Sequence, residues 1–474
     1  MKEAIKQHHP LYEELYSVVG SKYVTDDALA LLAYTRGPSW ARSKEQGIIV
    51  KPGNTKEVSE VVKLANRTLT PIVPRGGGAS LAGYPEGAPG RGIVVDMTRM
   101  NKILFIDEEN MVTGTECGIT LSQFASDIRA KGLLMRTVDQ PQYVDTVGGV
   151  LSGYMGGGGP ADLATSGGLW HYVLGLEVVL PTGEVITTGS GQGTNIHLDR
   201  VIDRVSGTPD TTGLFIGDAG GFGIKTKAYF QILPFPTEFT YGMYIFKSFE
   251  EMWPVFLKLT CMGPYPYTRL ICFFPKSLNL WSLFYVQRES TKEEVAIKTK
   301  MLDEVCREGG GEEASEELSA KILKVWGSRR MGKDYASRGK FLFFEYAARK
   351  TDYPDFIKRQ REFLTNRLEE AGVADLVTER LEYLCGVQRD TILVGTVMFL
   401  DEAKVSAEQR EKVLQLILDE EDHMLKGGYF PSGNQGFSTI HVSSVWSPTY
   451  HAFMKTLKKA LDPNNIINPG LWRL

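Results

Sequence analysis

Apolar positions come in short blocks through the first half of the chain, and their spacing switches between helical and extended. Leu11, Leu15 and Val18 or Val19 share one helical face within a lead-in that runs to about residue 46. Gly47-Ile48-Ile49-Val50 then reads as a strand. Asn54 with Glu57 three residues later opens a helix whose stripe is Val58, Val61, Val62 and Ala65. Ile72-Val73 is the end of a short buried strand that runs straight into glycines. Residues 93–96 and 111–115 are further strands, and Leu121, Phe124, Ala125 and Ile128 mark a second amphipathic helix. Residues 174–180, Pro181-Thr182-Gly183 and 184–186 read as strand, tight turn and strand, and 228–234 as one strand more.

From about residue 237 to 430 the pattern becomes richer in aromatics. Strands are expected at 269–274, 341–346 and 391–397. Thr291 with Glu294 forms a capping box ahead of Val295, Leu302 and Val305. Helices are expected at 315–326, 355–371 and 404–424. In the last 44 residues, 437–446 is strand-like and Ser447-Pro448 opens a helix. Tyr450, Phe453, Met454, Leu457 and Leu461 predict a buried stripe on that helix before Asp462-Pro463 ends it. The fold class is α+β, in three parts: 1–236, a cap of 237–430, and 431–474 returning to the first part.

Composition narrows the partners. The chain has 474 residues and a net charge of −4, from 53 Lys and Arg against 57 Asp and Glu, with no long run of either sign. Nucleic acid is therefore not an expected partner. Five scattered cysteines with no C-x-x-C pair read as ordinary thiols of a reducing compartment. No signal-like or membrane-spanning run is present, and a cytoplasmic protein is expected. His8, His9, His171, His197, His423 and His451 show no metal-ligand spacing, so no metal is expected.

Glycine changes the picture: the chain has 50, enriched between positions 76 and 223. Pro74-Arg75-Gly76-Gly77-Gly78-Ala79-Ser80 places amide donors, a hydroxyl and a positive charge on one loop, the chemistry that a diphosphate needs. The spacing is not that of a Rossmann loop. A second cluster spans Thr146 to Gly159, expected to be a loop ordered by a ligand, and a third spans Gly217 to Ile224. Gly189-Ser190-Gly191-Gln192-Gly193 and the Lys225-Thr226 pair only imitate nucleotide motifs.

The ordered set P-R-G-G-G-x-S-L-A-G, T-V-G-G, G-L-E-V-V-L-P-T-G-E-V, G-L-F-I-G-x-x-G-x-x-G-I and A-L-D-P-N-N-I-I-N-P-G resembles the vanillyl-alcohol oxidase/p-cresol methylhydroxylase flavoproteins. The likeness covers about residues 45–236 and the last fifteen or so. It extends to the FAD-linked glycolate oxidase and D-lactate dehydrogenase-like branch. It implies a two-part PCMH-type FAD-binding domain with the isoalloxazine facing a separate cap. By that resemblance Pro74, Arg75, Gly76, Gly77, Gly78, Ala79 and Ser80 hold the diphosphate. Thr146, Gly148, Gly149, Gly153, Gly156 and Gly157 line its other side. Gly220, Gly223 and Ile224 pass the ribityl or adenosine part, Pro141 begins the segment beneath the ring, and Asn468 lies near it. Ala219 departs from the family, where Glu is common. Relatives that attach FAD within this domain use a histidine after the glycines or a cysteine near the second cluster. This chain has neither, so FAD is expected without a covalent link there.

What the resemblance implies for chemistry is hydride removal from a carbon bearing a hydroxyl, with a nearby base. The histidine motif of the 2-hydroxyacid branch is missing from Ser432–Phe437, and no tyrosine–arginine trio of the phenol branch is evident. The substrate is thus a small molecule, a 2-hydroxyacid or a phenolic or aromatic alcohol. A flavin-binding subunit of a larger electron-transfer complex is the alternative. The catalytic candidates are His441 as base, Arg269 for a substrate carboxylate, and Tyr346. The electron acceptor is left open between an electron-transfer protein, a quinone and oxygen. A homo-oligomer and a complex subunit are both compatible with the chain.

Overall fold

A computed structural model describes residues 8–35, 45–78, 90–135, 144–153, 169–193, 201–205, 207–275, 279–320, 340–386, 391–431 and 442–474. Helix α1 (Tyr12–Val19) buries Leu15 and Val19, and the lead-in continues through β1 (Val24–Thr25) and α2 (Ala28–Tyr34). After β2 (Ile48–Val50), helix α3 (Thr55–Thr68) starts where Asn54 accepts the Glu57 amide, as its sequence signature requires. Strands β3 (Ile72–Arg75) and β4 (Ile93–Asp96) complete a four-stranded sheet of order β1-β2-β4-β3, in which β2, β4 and β3 run parallel. Parallel strands are buried on both faces, which is why these read as continuous apolar runs.

The second sheet of this half is antiparallel. It holds β5 (Ile103–Asp107) and β6 (Val112–Glu116), and later β8 (Val173–Val179), β9 (Val185–Thr187) and β10 (Ile224–Gln231), in the order β5-β6-β10-β8-β9. Between its halves come α4 (Leu121–Arg129), β7 (Leu133–Leu134) and α5 (Val147–Gly153). Helix α5 corrects the expected loop. Thr146 accepts the Gly149 amide, and Val147, Val150 and Leu151 are buried at helical spacing that the glycines obscured. Strand β11 (Leu233–Pro234) pairs with β7 and is the last strand before the cap.

The cap is one eight-stranded antiparallel sheet. Its strands are β12 (Glu238–Phe246), β13 (Arg269–Pro275), β14 (Trp281–Glu289), β15 (Glu312–Glu313), β16 (Lys340–Arg349), β17 (Val377–Gly386), β18 (Thr391–Leu400) and β19 (Phe430–Pro431). Their order is β15-β12-β14-β13-β17-β18-β16-β19. Four long helices, α6 (Phe249–Cys261), α7 (Lys292–Glu308), α8 (Tyr353–Glu370) and α9 (Ala407–Lys426), pack on one face. Phe256, Leu302, Phe356 and Leu416 are each at most 1% exposed there, and each such burial is worth roughly 1.5–3 kcal/mol. The capping box at Thr291 and Glu294 is formed. Strands β12, β14 and β17 were missed in the sequence: β14 is largely apolar on both faces, which erases alternation, while Glu238 and Thr240 in β12 and Thr378 to Arg380 and Glu382 in β17 break up their apolar runs.

The C-terminal stretch corrects two expectations. Val442–Val445 is a 3₁₀ turn and not part of a strand. Helix α10 (Pro448–Leu461) does start at Ser447-Pro448, but it buries only Met454 and Lys458. Tyr450 and Phe453 are 47% and 58% exposed. The apolar stripe is shared between the core and a surface aromatic pair, and a buried lysine takes a place that periodicity assigned to solvent. Ile466 and Ile467 then join the core of the parallel sheet, while Met454, Leu471 and Trp472 join that of the antiparallel one. Among the described residues no helix is long and apolar enough to cross a membrane.

Candidate functional site

Four stretches that lie far apart in sequence meet around β3 and the loop that follows it. The loop after β3 touches the start of α5: a Cβ on Gly76 would coincide with the Thr146 hydroxyl, and one on Gly77 with the Val144 carbonyl oxygen. Gly78 has φ +72, a conformation that glycine adopts without strain. The loop 217–221 is tied to α5 by Gly217 N–H to Leu151 O at 2.8 Å and Ala219 N–H to Ser152 O at 2.9 Å. The C-terminal stretch is tied to β3 by Ile72 N–H to Ile466 O at 2.6 Å and Asn468 N–H to Ile72 O at 2.9 Å. Asn468 closes the ring, its amide Nδ2 donating to Ala219 O at 3.0 Å and Gly220 O at 3.3 Å.

The residues within this cleft differ in what they do. Arg75 turns its guanidinium over the Tyr34 ring, 4.3 Å from its centroid, and beneath Gly78. Gly148 packs on Cys117, whose thiol burial pushes up in pKa. Gly223 approaches Val178 and Val179 too closely to carry a side chain, and Ile224 is 2% exposed in the core. On α5, Gly149 is exposed and Gly153 half-buried. Asp145 lies between the two glycine loops, its carboxyl pushed up to about 6 by burial. Ala79, Ser80, Pro141, Gly156, Gly157 and His441 lie outside the described residues.

Two buried ion pairs, Lys225–Asp218 and Lys458–Asp462, brace the cleft. Lys225 donates to Asp218 at 2.7 Å and to Ser152 at 2.9 Å, with Asp218 accepting the Gly220 amide. The Lys-Thr pair that imitates a P-loop is thus a strut. Lys458 donates to Gly221 O, Asp462 and Ile467 O at 2.9, 2.8 and 2.6 Å. Asp462 in turn accepts the Ile466 and Ile467 amides at 2.9 Å each. The one legible signal was the Lys458–Asp462 spacing of four residues at a helix end. Among the described residues no group of three or more metal-type side chains stands together.

The cap residues fall on two faces. Arg269 is 3% exposed, on the face that also carries Ile271, Phe273, Phe284, Val286, Tyr383, Val397 and Phe399. Tyr346 turns the other way, into the core beneath the helices. Its hydroxyl donates to Glu420 at 2.5 Å, and Glu420 also accepts Gln360 Nε2 at 2.7 Å. Strand alternation sends the neighbouring Glu345 to the face of Arg269. Tyr346 is therefore sealed away from that face, which corrects its place among the catalytic candidates.

The cleft fits FAD on two observations. Asn468 is 1% exposed, and its Oδ1 has no hydrogen-bond donor among the described residues. A buried acceptor left bare costs about 1–3 kcal/mol, so it calls for a ligand donor such as a ribityl hydroxyl or the flavin N–H. Gly76 and Gly77 also have no side chains of their own to cover their amides, and the neighbouring Thr146 and Val144 leave no room for any.

Residues 47–189 match the family described as FAD binding domain, and residues 441–471 match FAD linked oxidases, C-terminal domain. The chain thus carries a PCMH-type FAD-binding domain and an FAD-linked oxidase C-terminal domain, and its cofactor is FAD. Among curated proteins it is 31% identical over 224 residues to glycolate oxidase subunit GlcD of Bacillus subtilis, covering 47% of this chain and 45% of that one. It is 32% identical over 189 residues to D-lactate dehydrogenase of Anaerostipes hadrus, covering 40% and 37%. The matched region spans less than half the length of either relative. In fold it matches p-cresol methylhydroxylase, solved with substrate bound, with a TM-score of 0.82 at 19% identity over 97% of this chain and 96% of that one.

Proposed function

We propose that the chain is an FAD-linked dehydrogenase or oxidase that removes hydride from a carbon bearing a hydroxyl, in a small substrate of the 2-hydroxyacid type. The observation that carries this is the cleft itself, where three glycine-rich stretches and the bare Asn468 Oδ1 converge. Glycolate oxidase and D-lactate dehydrogenase among the relatives favour the 2-hydroxyacid. Bound FAD supplies hydride acceptance, and the protein supplies orientation and proton handling. The amides of the Gly76–Gly78 loop and the start of α5 hold the diphosphate, and Asn468 orients the flavin end. Arg269 receives the substrate carboxylate as a bidentate partner, and His441 takes the hydroxyl proton. Residues 1–236 with 431–474 form the flavin-binding half, and 237–430 form the cap.

The aromatic residues on the Arg269 face of the cap favour a second reading, a phenolic or aromatic alcohol. Anaerobic bleaching of the flavin absorbance separates the two. Glycolate and D-lactate should reduce the flavin and 4-hydroxybenzyl alcohol should not; the reverse result establishes the phenolic reading. Bleaching by neither leaves the purely flavin-binding subunit.

A further inference from the structure

Lys350 and Cys261 form a pair in the cap that neither the flavin cleft nor the substrate chemistry uses. Cys261 ends α6, and Lys350 opens the 3₁₀ turn Lys350–Asp352 that joins β16 to α8. Aromatic packing brings the two together. The Tyr353 ring, at the start of α8, lies 5.6 Å from the Phe249 ring and 5.2 Å from that of Trp253 on α6. The turn is thereby pressed against the helix, and Lys350 meets its C-terminal end. Lys350 Nζ donates to Thr260 O at 3.2 Å and to Cys261 Sγ at 3.7 Å, the second contact spanning 89 positions of sequence.

The two side chains differ in what reaches them. Cys261 is exposed, whereas Cys117, Cys272, Cys306 and Cys385 are buried, so Cys261 is the thiol that a dissolved oxidant meets. Lys350 is 7% exposed, and the nearby Asp352 is held by Arg349 at 2.8 and 3.1 Å. An ammonium taken out of water without a carboxylate beside it is costly. The carbonyl end of α6 offsets part of that cost, because a helix C-terminus favours a cation. It does not account for the thiol. Among the described residues, the Cys261 sulfur is the one side-chain atom that Lys350 Nζ reaches.

We propose that Cys261 and Lys350 are an oxidation-driven lock, in which a peroxide joins them through a reversible sulfur–nitrogen bond. Peroxide first takes the Cys261 thiol to a sulfenic acid; the O–O bond breaks, and one oxygen stays on sulfur while the other leaves as water. The sulfenic sulfur is then electrophilic, and the nitrogen held beside it has the advantage of proximity over any nucleophile in bulk solvent. Lys350 gives up one proton to solvent and its nitrogen attacks the sulfur. The S–O bond breaks, and the hydroxyl leaves as a second water with one of the remaining N–H protons. Sulfur loses two electrons and the peroxide gains them. The product ties the end of α6 to the entry of α8, and a dithiol reductant restores the thiol and the amine.

The test exposes the FAD-loaded, full-length protein to hydrogen peroxide and maps tryptic peptides by mass, with and without dithiothreitol. The expected product is a peptide pair joined at Cys261 and Lys350, lighter than its two parts by two hydrogens and separated by dithiothreitol. Cys261→Ser should give no such pair. Lys350→Met should strand the sulfenic acid without its amine, so that Cys261 advances to the irreversible sulfinic acid. Because the bond closes a long loop in the unfolded chain, the oxidised wild-type cap should melt about 5 °C or more above the reduced one, and dithiothreitol should remove the gain. A wild-type Cys261 that stays a thiol, or that ends as sulfinic acid without the joined pair, overturns the proposal. A joined protein that melts no higher than the reduced one overturns its action as a lock.

Discussion

Lys458→Met tests whether the C-terminal strut holds the cleft together. The Lys458 and Asp462 side chains are 5% and 0% exposed. Burial lowers the Lys458 pKa against the opposing pull of Asp462, as expected for a charge taken out of water. Removing the ammonium leaves a buried carboxylate with two backbone amides as its remaining partners, and strips a donor from Gly221 O and Ile467 O. Breaking a buried pair from one side costs about 3–5 kcal/mol. At roughly 2–4 °C per kcal/mol for a domain of this size, the flavin-binding half should melt about 10 °C lower. Because Ile467 and Gly221 flank Asn468 and Gly220, FAD should also dissociate more readily. Flavin fluorescence during a thermal ramp reads both quantities. Lys258→Met is the control: Lys258 pairs with Glu308 at 2.9 Å, but the side chains are 56% and 69% exposed, so its loss should shift the melt by no more than about 2 °C. Equal, small shifts for the two variants would refute the reasoning.

Gly77→Val should lose FAD and destabilise the flavin-binding half, because the new Cβ meets the Val144 backbone, whereas Arg269→Ala should keep FAD; a stable, FAD-replete Gly77→Val protein contradicts this close approach. His441→Gln should slow flavin reduction by a 2-hydroxyacid by about 10²–10⁴ without changing FAD content, and full activity would move the base elsewhere. Acid precipitation should release the yellow colour into the supernatant, since the FAD domain offers no attachment residue; a coloured pellet would place a covalent link in the cap. Burial pushes the carboxyls of Glu420 and Glu421 up to about 7 and about 8. An acid whose folded pKa is raised stabilises fully below its ordinary range near pH 4.5 and loses that stability as pH rises through the folded value. Urea midpoints of the cap should therefore fall between about pH 4.5 and 8 and level off above, and Glu420→Gln should flatten that fall.

How much of this was legible in the sequence depended on whether the cause was local. Asn54 with Glu57, Thr291 with Glu294 and Ser447-Pro448 satisfy helix-start amides within three residues, and all three helices begin there. The ordered glycine motifs identified the flavin cleft because close backbone approach admits no other residue at Gly76 and Gly77. Side-chain direction in a two-sided sheet was not legible. Glu345 and Tyr346 are neighbours, yet one reaches Tyr383 across Gly395 and the other reaches Glu420 on a helix 74 residues away, and only strand register decides which faces what. Lys458 looked like solvent-facing polar spacing on a helix whose apolar stripe pointed inward. Its three acceptors come from residues 221, 462 and 467, and only folding brings the first of them near. Burying that charge is favourable only when all of its partners are assembled, and that assembly is a property of the tertiary structure.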